Sequence, residues 1–573
     1  GQVGAQIIPT TITNGQFDPG TVFYRIRFTH PAFNPYITIG SDVTTTPFTA
    51  KATLFAFVGN DTDGYRIYAK GDATKYIYLT STTSDVNVDN VHYGTSDTYD
   101  KFKIRKNGSG YTIYQYGPRS SSIPTSLNYV SRSTLQTWSN SESLSDNNCR
   151  VAFEPVEMSL LYQYTFSEGT VNQVVYGTIG SAYPNPATAP AFCTITGSKP
   201  SGNVTAGGTE TATFNATWDG PLEYSSTLNN AKWYLMTLGY QDGHKQVFRY
   251  SALNTTINLP TDAYTFTYSS KDQFAFVGNP LDGFQVINRS ENNPRLVANA
   301  DGSGNPSFAN SPSSSQSDRW DIYDVTQSPH DPITVPGEKR FGLNLHGYSA
   351  KKLNRSGSTR NVVYWGDHDN GSTFTVSQAD LPSLALHEFD GKTYASFYVD
   401  YPVQVTSENV KVYTGTVSGN TLQMTEANDK IIPAGVGVVL VGNTASETSA
   451  ALSIANSAGT VSHGVITGSI TDVPIQGYQD QYLVLGLSNQ EPQSVGFFQP
   501  TVATIPAYRA YIPKSATQSV RGLYFNFDGE TTSIDPTVLT PAKEETIYDL
   551  GGRRVNKAVK GIYIKNGKKI YVK

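Results

Sequence analysis

Cysteine is nearly missing from this chain. Only Cys149 and Cys193 occur among its 573 residues, which excludes a disulfide framework and a cysteine-rich metal site. The two are either one bridge between neighbouring modules or a pair of buried thiols; spacing alone does not supply the geometry a bridge needs, and thiols are the expectation. Charge is sparse as well, at 16% Asp, Glu, Lys and Arg against about 25% in an average soluble protein. The net charge of −5 argues against nucleic acid as a partner, because phosphate binding needs clustered cations. No stretch approaches the ~18 apolar residues of a membrane span. The longest apolar run, IIPAGVGVVLVG from Ile431, is broken by Pro and Gly and reads as a buried strand. The first residues, GQVGAQIIPTT, have neither a charged n-region nor an apolar h-region, so any export signal has been removed or was never there.

What fills the chain instead is Ser, Thr, Asn, 50 Gly and 37 Tyr, the composition of a turn-rich β protein with a neutral polar surface. Period-2 alternation dominates and no helical stripe stands out. YRIRF at Tyr24, DGYRIYA at Asp63, KFKIRK at Lys101 and GYTIYQYG at Gly110 are short alternating strands. Gly, Asn and Asp punctuate them at hairpin spacing. A chain this long exceeds one hydrophobic core, so three to five domains are expected. The charge is uneven: from Pro541 to Lys573 there are nine Lys and Arg against three Asp and Glu.

One phrase occurs twice. FAFVGNDTDGYRI begins at Phe55 and FAFVGNPLDGFQV at Phe274, 219 residues later. None of the six shared leading residues is a useful acid, base or nucleophile, so the phrase reads as a fold signature. Phe55 and Phe57 point inward, Ala56 and Val58 outward, and Gly-Asn opens a turn that Asp-Gly closes. WYLMTLGY (Trp233), RWDIYDV (Arg319) and FGLNLHGY (Phe341) continue the second copy. Both copies end on a Trp (Trp138, Trp365), an Asp-containing turn and an alternating strand. The duplicated unit covers roughly residues 22–158 and 231–380.

Within each copy a shorter theme of strand, turn and aromatic strand recurs about three times. Together with DGYRIYAKGDATKYIYL and the Gln136-Thr137-Trp138 triplet, it resembles the ricin-B-like β-trefoil family. The resemblance implies two trefoil modules, 1–158 and 231–380, joined by a small β-sandwich-like module at 159–230. Residues 381–540, with KTYASFYVDYPVQV and VKVYTGTVSGNTLQMTE, resemble a β-sandwich module common in exported Bacteroidetes proteins. The final module, 541–573, is a hairpin by its chemistry: GIYIK-NG-KKIYVK flanks an Asn566-Gly567 pair suited to a type I′ turn. With Tyr548-Asp549-Leu550-Gly551-Gly552-Arg553-Arg554 before it, this module is similar to secretion-sorting domains of Bacteroidetes exported proteins. That likeness implies the export machinery as a partner and a secreted or outer-membrane-surface location. The whole is expected to be all-β, a row of β-modules.

Catalytic chemistry finds no constellation. Residues 367–374, DHDNGSTF, resemble the sialidase Asp-box, a hairpin-turn device in which Asp accepts backbone bonds and Gly supplies permissive dihedrals. A sialidase also needs an arginine triad and a Tyr–Glu pair, which do not assemble here. Asp367-His368-Asp369 has carboxylates suited to Ca²⁺ but lacks an EF-hand or repeat framework, so no metal is expected. His244, His330 and His346 are scattered. Gly-Ser strings such as ADGSGN at Ala300 lack the Lys and helix of a phosphate loop. No cofactor is implied.

Sugar binding asks for less: an aromatic face for the apolar side of a pyranose and Asp, Asn or Gln for its hydroxyls. The chain offers that pairing twice, as Trp138 with Asn140 and Asp146, and as Trp365 with Asp367, His368 and Asn370. HGYSAKK at His346 and NNPRL at Asn292 are further candidate loops. Against this, a trefoil often packs a Trp beneath its barrel, and with five Trp in the chain a core role carries more weight for both. The expected function is non-catalytic binding of a glycan or glycoprotein, made avid by two sites on one chain. The rivals are an adhesin-like scaffold and a glycosidase-associated or diverged sialidase-like enzyme.

Overall fold

In the computed structural model, residues 7–573 are described apart from 31–34, 83–85, 116–122, 130–134, 157, 178–179, 206–209, 240–245, 260–264, 326–339, 528–546, 552, 556–557 and 566–567. His244 and His330 lie outside the described residues. The fold is all-β: strands and single 3₁₀ turns, with no α-helix among the described residues. Two compact units separate, residues 1–265 with 271–376, and residues 266–270 with 377–573.

Alternation in the first copy turns directly into barrel strands. In β1 (Phe23–Phe28), Tyr24, Ile26 and Phe28 are buried while Arg25 and Arg27 lie half-buried on the other face. Then come β2 (Tyr36–Ile39), β3 (Val43–Thr46), β4 (Phe55–Asn60), β5 (Gly64–Ala69), β6 (Tyr76–Leu79), β7 (Val91–Gly94) and β8 (Phe102–Asn107). The copy ends with β9 (Gly110–Gln115), β10 (Thr125–Tyr129), β11 (Leu135–Ser139) and β12 (Val151–Val156). Strands β1, β4, β5, β8, β9 and β12 pair in a closed ring, antiparallel throughout. The hairpins β2–β3, β6–β7 and β10–β11 stand off it. Each repeat thus gives its outer strands to the ring and its inner pair to a hairpin, which is the topology of a β-trefoil. Closure removes the exposed edges that a flat sheet would offer. Tyr24, Phe57 and Phe153 meet edge to face inside, with centroids 5.5–5.8 Å apart for Phe57 and its two neighbours.

The repeated phrase builds the same turn in both copies. Asn60 pairs with Gly64, and the Asn60 amide oxygen accepts from the N–H groups of Thr62 (2.9 Å) and Asp63 (2.8 Å) while its Nδ2 donates to the Asp63 carboxylate (3.1 Å). In the second copy Asn279 does the same toward Leu281 (3.0 Å), Asp282 (2.8 Å) and the Asp282 carboxylate (3.1 Å). The preceding glycine is required twice over. Gly59 has φ +139°, and a Cβ there would sit 2.2 Å from the Gly64 carbonyl oxygen; Gly278 has φ +136° and 2.5 Å to the Gly283 oxygen. Phe55, Phe57, Phe274 and Phe276 are fully buried as expected. Ala56 and Ala275, expected to face outward, are fully buried too, because this strand is covered on both faces.

Residues 159–230 form one four-stranded sheet from β13 (Met158–Phe166), β14 (Gly169–Gly177), β15 (Cys193–Thr196) and β16 (Glu210–Trp218), ordered β14-β13-β16-β15. β13 and β16 run parallel. Leu160, Tyr162, Tyr164 and Phe166 alternate into its buried face against Phe214. That apolar cluster continues into the second copy, where Trp218 and Tyr224 contact Phe284 at 5.6 and 5.2 Å. The linking sheet and the second trefoil therefore share one core.

The second copy consists of β17 (Trp233–Leu238), β18 (Gln246–Val247), β19 (Gln273–Asn279), β20 (Gly283–Asn288), β21 (Arg295–Asn299), β22 (Ser307–Ala309), β23 (Trp320–Asp324), β24 (Phe341–Leu345), β25 (Lys352–Arg355), β26 (Val362–Trp365) and β27 (Phe374–Ser377). β17, β19, β20, β23, β24 and β27 close the equivalent ring. Registers align the copies residue by residue. Phe102 faces Tyr65 as Trp320 faces Phe284, and Ser126 faces Trp138 as Lys352 faces Trp365.

The second unit holds a ten-stranded sheet of β28 (His387–Phe389), β29 (Lys392–Phe397), β30 (Val410–Ser418), β31 (Thr421–Glu426), β32 (Val438–Gly442), β33 (Thr467–Gly468), β34 (Tyr482–Leu487), β35 (Val495–Phe498), β36 (Ala510–Pro513) and β37 (Gly522–Phe527). Its order is β28-β29-β32-β30-β31-β37-β35-β34-β36-β33, and smaller sheets accompany it. The apolar run from Ile431 becomes a two-residue strand and then β32, every residue of which is buried. A separate four-stranded sheet is formed by β38 (Ile547–Tyr548), β39 (Arg554–Val555), β40 (Gly561–Lys565) and β41 (Lys568–Val572). Lys565 pairs with Lys568, so the two flanks meet as an antiparallel hairpin, while the Asn566-Gly567 turn lies outside the described residues. No helix is long and apolar enough to cross a membrane among the described residues. Cys149 and Cys193 are both free thiols.

Candidate functional site

The closing hairpin of each trefoil, with the 3₁₀ turn after it, carries the residues that the sequence singles out. In the first copy the turn segments are Ser141–Leu144 and Asn147–Cys149; in the second, Asn370–Ser372. Buried asparagines tie both turns to the hairpin. Asn128 on β10 donates to the Cys149 sulfur (3.2 Å), and its equivalent Asn354 on β25 donates to Ser372 Oγ (2.9 Å) and Asp369 Oδ1 (2.7 Å). Asp146-Asn147-Asn148-Cys149 and Asp369-Asn370-Gly371-Ser372 are thus the same structural element.

Most of the polar candidates are occupied in holding that element. Asn140 caps the first turn by accepting from the Glu142 N–H (2.9 Å), and Asp146 caps the second by accepting from the Asn148 N–H (2.7 Å). His368 is engaged at both ring nitrogens, Nδ1 with the Tyr323 hydroxyl (2.9 Å) and Nε2 with Thr373 Oγ1 (3.1 Å). The amide oxygen of Asn370 is buried away from solvent. The Asp-box likeness is realised as a turn, but by other means than expected. Asp369 receives a side-chain amide rather than a backbone N–H. Gly371 has no left-handed φ; it is needed because a Cβ would crowd the Arg355 carbonyl oxygen at 2.9 Å.

Trp365 and Asp367 are different. Trp365 is 54% exposed, on the edge strand of the second trefoil's hairpin. Asp367 is exposed, and no protein partner approaches its carboxylate among the described residues. The core role expected for both tryptophans is overturned here. The buried tryptophan is Trp320, 0% exposed, on a ring strand with its indole N–H donated to the Leu296 carbonyl (2.9 Å). The reason is positional: Trp320 stands where the first copy has Phe102, inside the barrel, whereas Trp138 and Trp365 stand on the outlying hairpins. Trp138 is half-buried because the strand Val86–Val88 pairs along its own strand and covers that edge. In the second copy the pairing beside β26 is an isolated bridge at its start, Asn258 opposite Asn361, with the Val362 N–H donated to the Ile257 carbonyl (2.8 Å), and no strand among the described residues runs on along Trp365.

Lys352, opposite Trp365, is the last residue of the HGYSAKK candidate loop and is not singled out by the sequence on its own. Its ammonium lies 5.5 Å over the Tyr323 ring and donates to the carbonyls of Ser349 and Gly366. The HGYSAKK string does hold a signal for it, two lysines directly before an alternating strand. At Asn292 and Asn293, φ values of +63° and +47° mark a turn rather than a ligand loop. The ADGSGN string is likewise a turn, with Asp301 Oδ1 accepting from the Ser303 N–H (2.9 Å). No group of three or more His, Cys, Asp or Glu is placed to hold a metal ion among the described residues.

Neither a family model nor a curated protein matches the chain. Among solved structures it is similar to a mosquitocidal holotoxin, at 12% identity and a TM-score of 0.22, over 87% of this chain and 62% of that one. The chain thus spans under two thirds of that protein's length. At this TM-score the likeness decides neither fold detail nor activity. What stands is an all-β architecture compatible with a binding protein.

Proposed function

We propose that the chain is a non-catalytic glycan-binding protein, and that its second trefoil binds a pyranose on the Trp365 hairpin. One observation carries the reading: Trp365 is a large aromatic left 54% exposed beside Asp367, whose carboxylate has no protein partner among the described residues, while the neighbouring His368 and Asp369 side chains are engaged within the protein. The indole face suits the apolar side of a sugar ring, and Asp367 with the Lys352 ammonium suits its hydroxyls. The first copy contributes a weaker, more covered version at Trp138, where Asn140 and Asp146 are consumed as caps. Avidity would come from the pair only for ligands able to span both. The C-terminal four-stranded sheet, rich in Lys, fits the expected sorting module, and with it a secreted or surface-displayed life.

The test is a glycan array probed with the intact chain and with Trp365→Ala and Asp367→Ala. Signal on pyranose glycans that falls in both variants supports the reading. Silence across the array favours a scaffold that contacts proteins, and turnover of a fluorogenic glycoside would contradict a non-catalytic role.

A further inference from the structure

A cleft of about 450 Å³ lies where the first trefoil, the linking sheet and the second trefoil meet, within the range typical of ligand sites. The first trefoil lines it with Arg25 and with Pro47 to Lys51, the linking sheet with Gln173 to Tyr176, and the second trefoil with Leu281, Asp282 and His346. A second chamber of about 320 Å³ continues from it, sharing Gln173, Ala187, Leu281 and His346 and adding Trp218, Tyr323 and Asn344.

Its charges are arranged by wall. On the first-trefoil wall, Arg25 shares a single carboxylate, Glu154, with Arg27 on the same strand, at 3.4 and 2.9 Å, so the two guanidinium groups have one acid between them. Lys51 sits 5.0 Å over the Phe48 ring, and no carboxylate lies within ion-pair distance of it among the described residues. On the facing wall one acid is fully engaged and the other only in part. Asp321 holds His346 Nδ1 through one oxygen and the Gly347 N–H (3.0 Å) through the other. The His346 ring lies against Phe48, tilted by 36° with centroids 4.4 Å apart, which joins the two walls. Asp282 accepts from Asn279 through one oxygen (3.1 Å), and its other oxygen meets no side-chain donor among the described residues. The linking sheet adds Tyr176, with the Arg25 guanidinium 5.4 Å over its ring.

Surplus cations on one side, with a free carboxylate oxygen and an amide on the other, describe a ligand with one anionic group and several hydroxyls. We propose that this cleft is a second binding site, taking a carboxylated sugar residue of the uronic or sialic acid type. The carboxylate faces Lys51 and Arg25, and the hydroxyls face Asp282 and Gln173. The adjoining chamber takes the next sugar of the chain. The proposal rests on the reading that the protein binds glycans, but uses none of the residues of the Trp365 hairpin. Thr62 in the first copy becomes Leu281 in the second, which packs against the shared core of the linking sheet and the second trefoil.

Isothermal titration of the intact chain tests it with 3′-sialyllactose against lactose, and with tetragalacturonate against its methyl ester. At least one acidic probe should bind tighter than its uncharged counterpart, in a salt-dependent way, and which one does so identifies the acid. Lys51→Glu should weaken that probe roughly tenfold, and Lys51→Gln, which keeps the stem, less. Trp365→Ala should leave it unchanged. The proposal is overturned if neither acid is preferred, or if the preference survives Lys51→Glu. A neutral-glycan signal at Trp365 without acid preference sinks only the cleft; acid preference without that signal sinks only the hairpin.

Discussion

Replacing Gly59 by alanine tests whether the repeated phrase is a frame. Gly59 has φ +139°, and the added methyl carbon would lie 2.2 Å from the Gly64 carbonyl oxygen and 3.1 Å from the Tyr65 Cα. Both neighbours are backbone, so neither can rotate away. Holding alanine in that dihedral region costs about 1–3 kcal/mol, and forcing the hairpin open adds an overpacking cost of about 1–3 kcal/mol. The first trefoil should therefore lose roughly 2–6 kcal/mol. Gly71→Ala is the control, because nothing lies within 4 Å of its Cβ position and its φ is ordinary; it should shift stability by less than about 0.5 kcal/mol. Hydrogen exchange of the 55–69 peptides, with urea unfolding of the intact chain, reads the difference locally. Equal protection and equal urea midpoints in the two variants would refute the reasoning.

Trp320→Phe keeps most of the buried ring but strands the Leu296 carbonyl, so it should cost about 1–3 kcal/mol, while Trp365→Phe stays within about 0.5 kcal/mol; thermal unfolding distinguishes them. Burial pushes the Cys149 and Cys193 thiols up to about 12. Iodoacetamide at pH 8 should accordingly add nothing to the native chain, and two adducts once it is denatured, as read by mass spectrometry. Burial likewise raises Tyr65 and Tyr234 to about 12 from an ordinary 10.0. An unfolded chain ionises these phenols first, so their stabilisation is complete below pH 10 and is lost as pH rises through 12. Absorbance at ~295 nm should show their ionisation delayed until the fold opens.

Much of the fold is legible in local chemistry, because a trefoil is made of short strands and turns. Asn60 and Asn279 announce their turns through the residues they bond, and Tyr24-Arg-Ile-Arg-Phe28 announces its faces by alternation. What stayed hidden depends on partners far away in the chain. Nothing near Trp320 marks it as the core tryptophan; that follows from its register opposite Phe284. Nothing near Trp138 reveals that the Val86–Val88 strand will cover it. Residue type does not tell a cap from a free group: Asn140, Asp146 and His368 hold turns, whereas Asp367 does not. The cleft leaves no local signature in the sequence because its walls come from three modules. Lys51 and His346 are ordinary residues until the Phe48 ring joins their two walls.

The claim that the Trp365 hairpin binds a sugar is tested most directly by titrating one array-selected glycan into the wild-type chain and into Trp365→Ala. The account predicts a loss of at least about tenfold in affinity, roughly 1.4 kcal/mol, with the fold retained by circular dichroism. An unchanged affinity in a folded variant would contradict it.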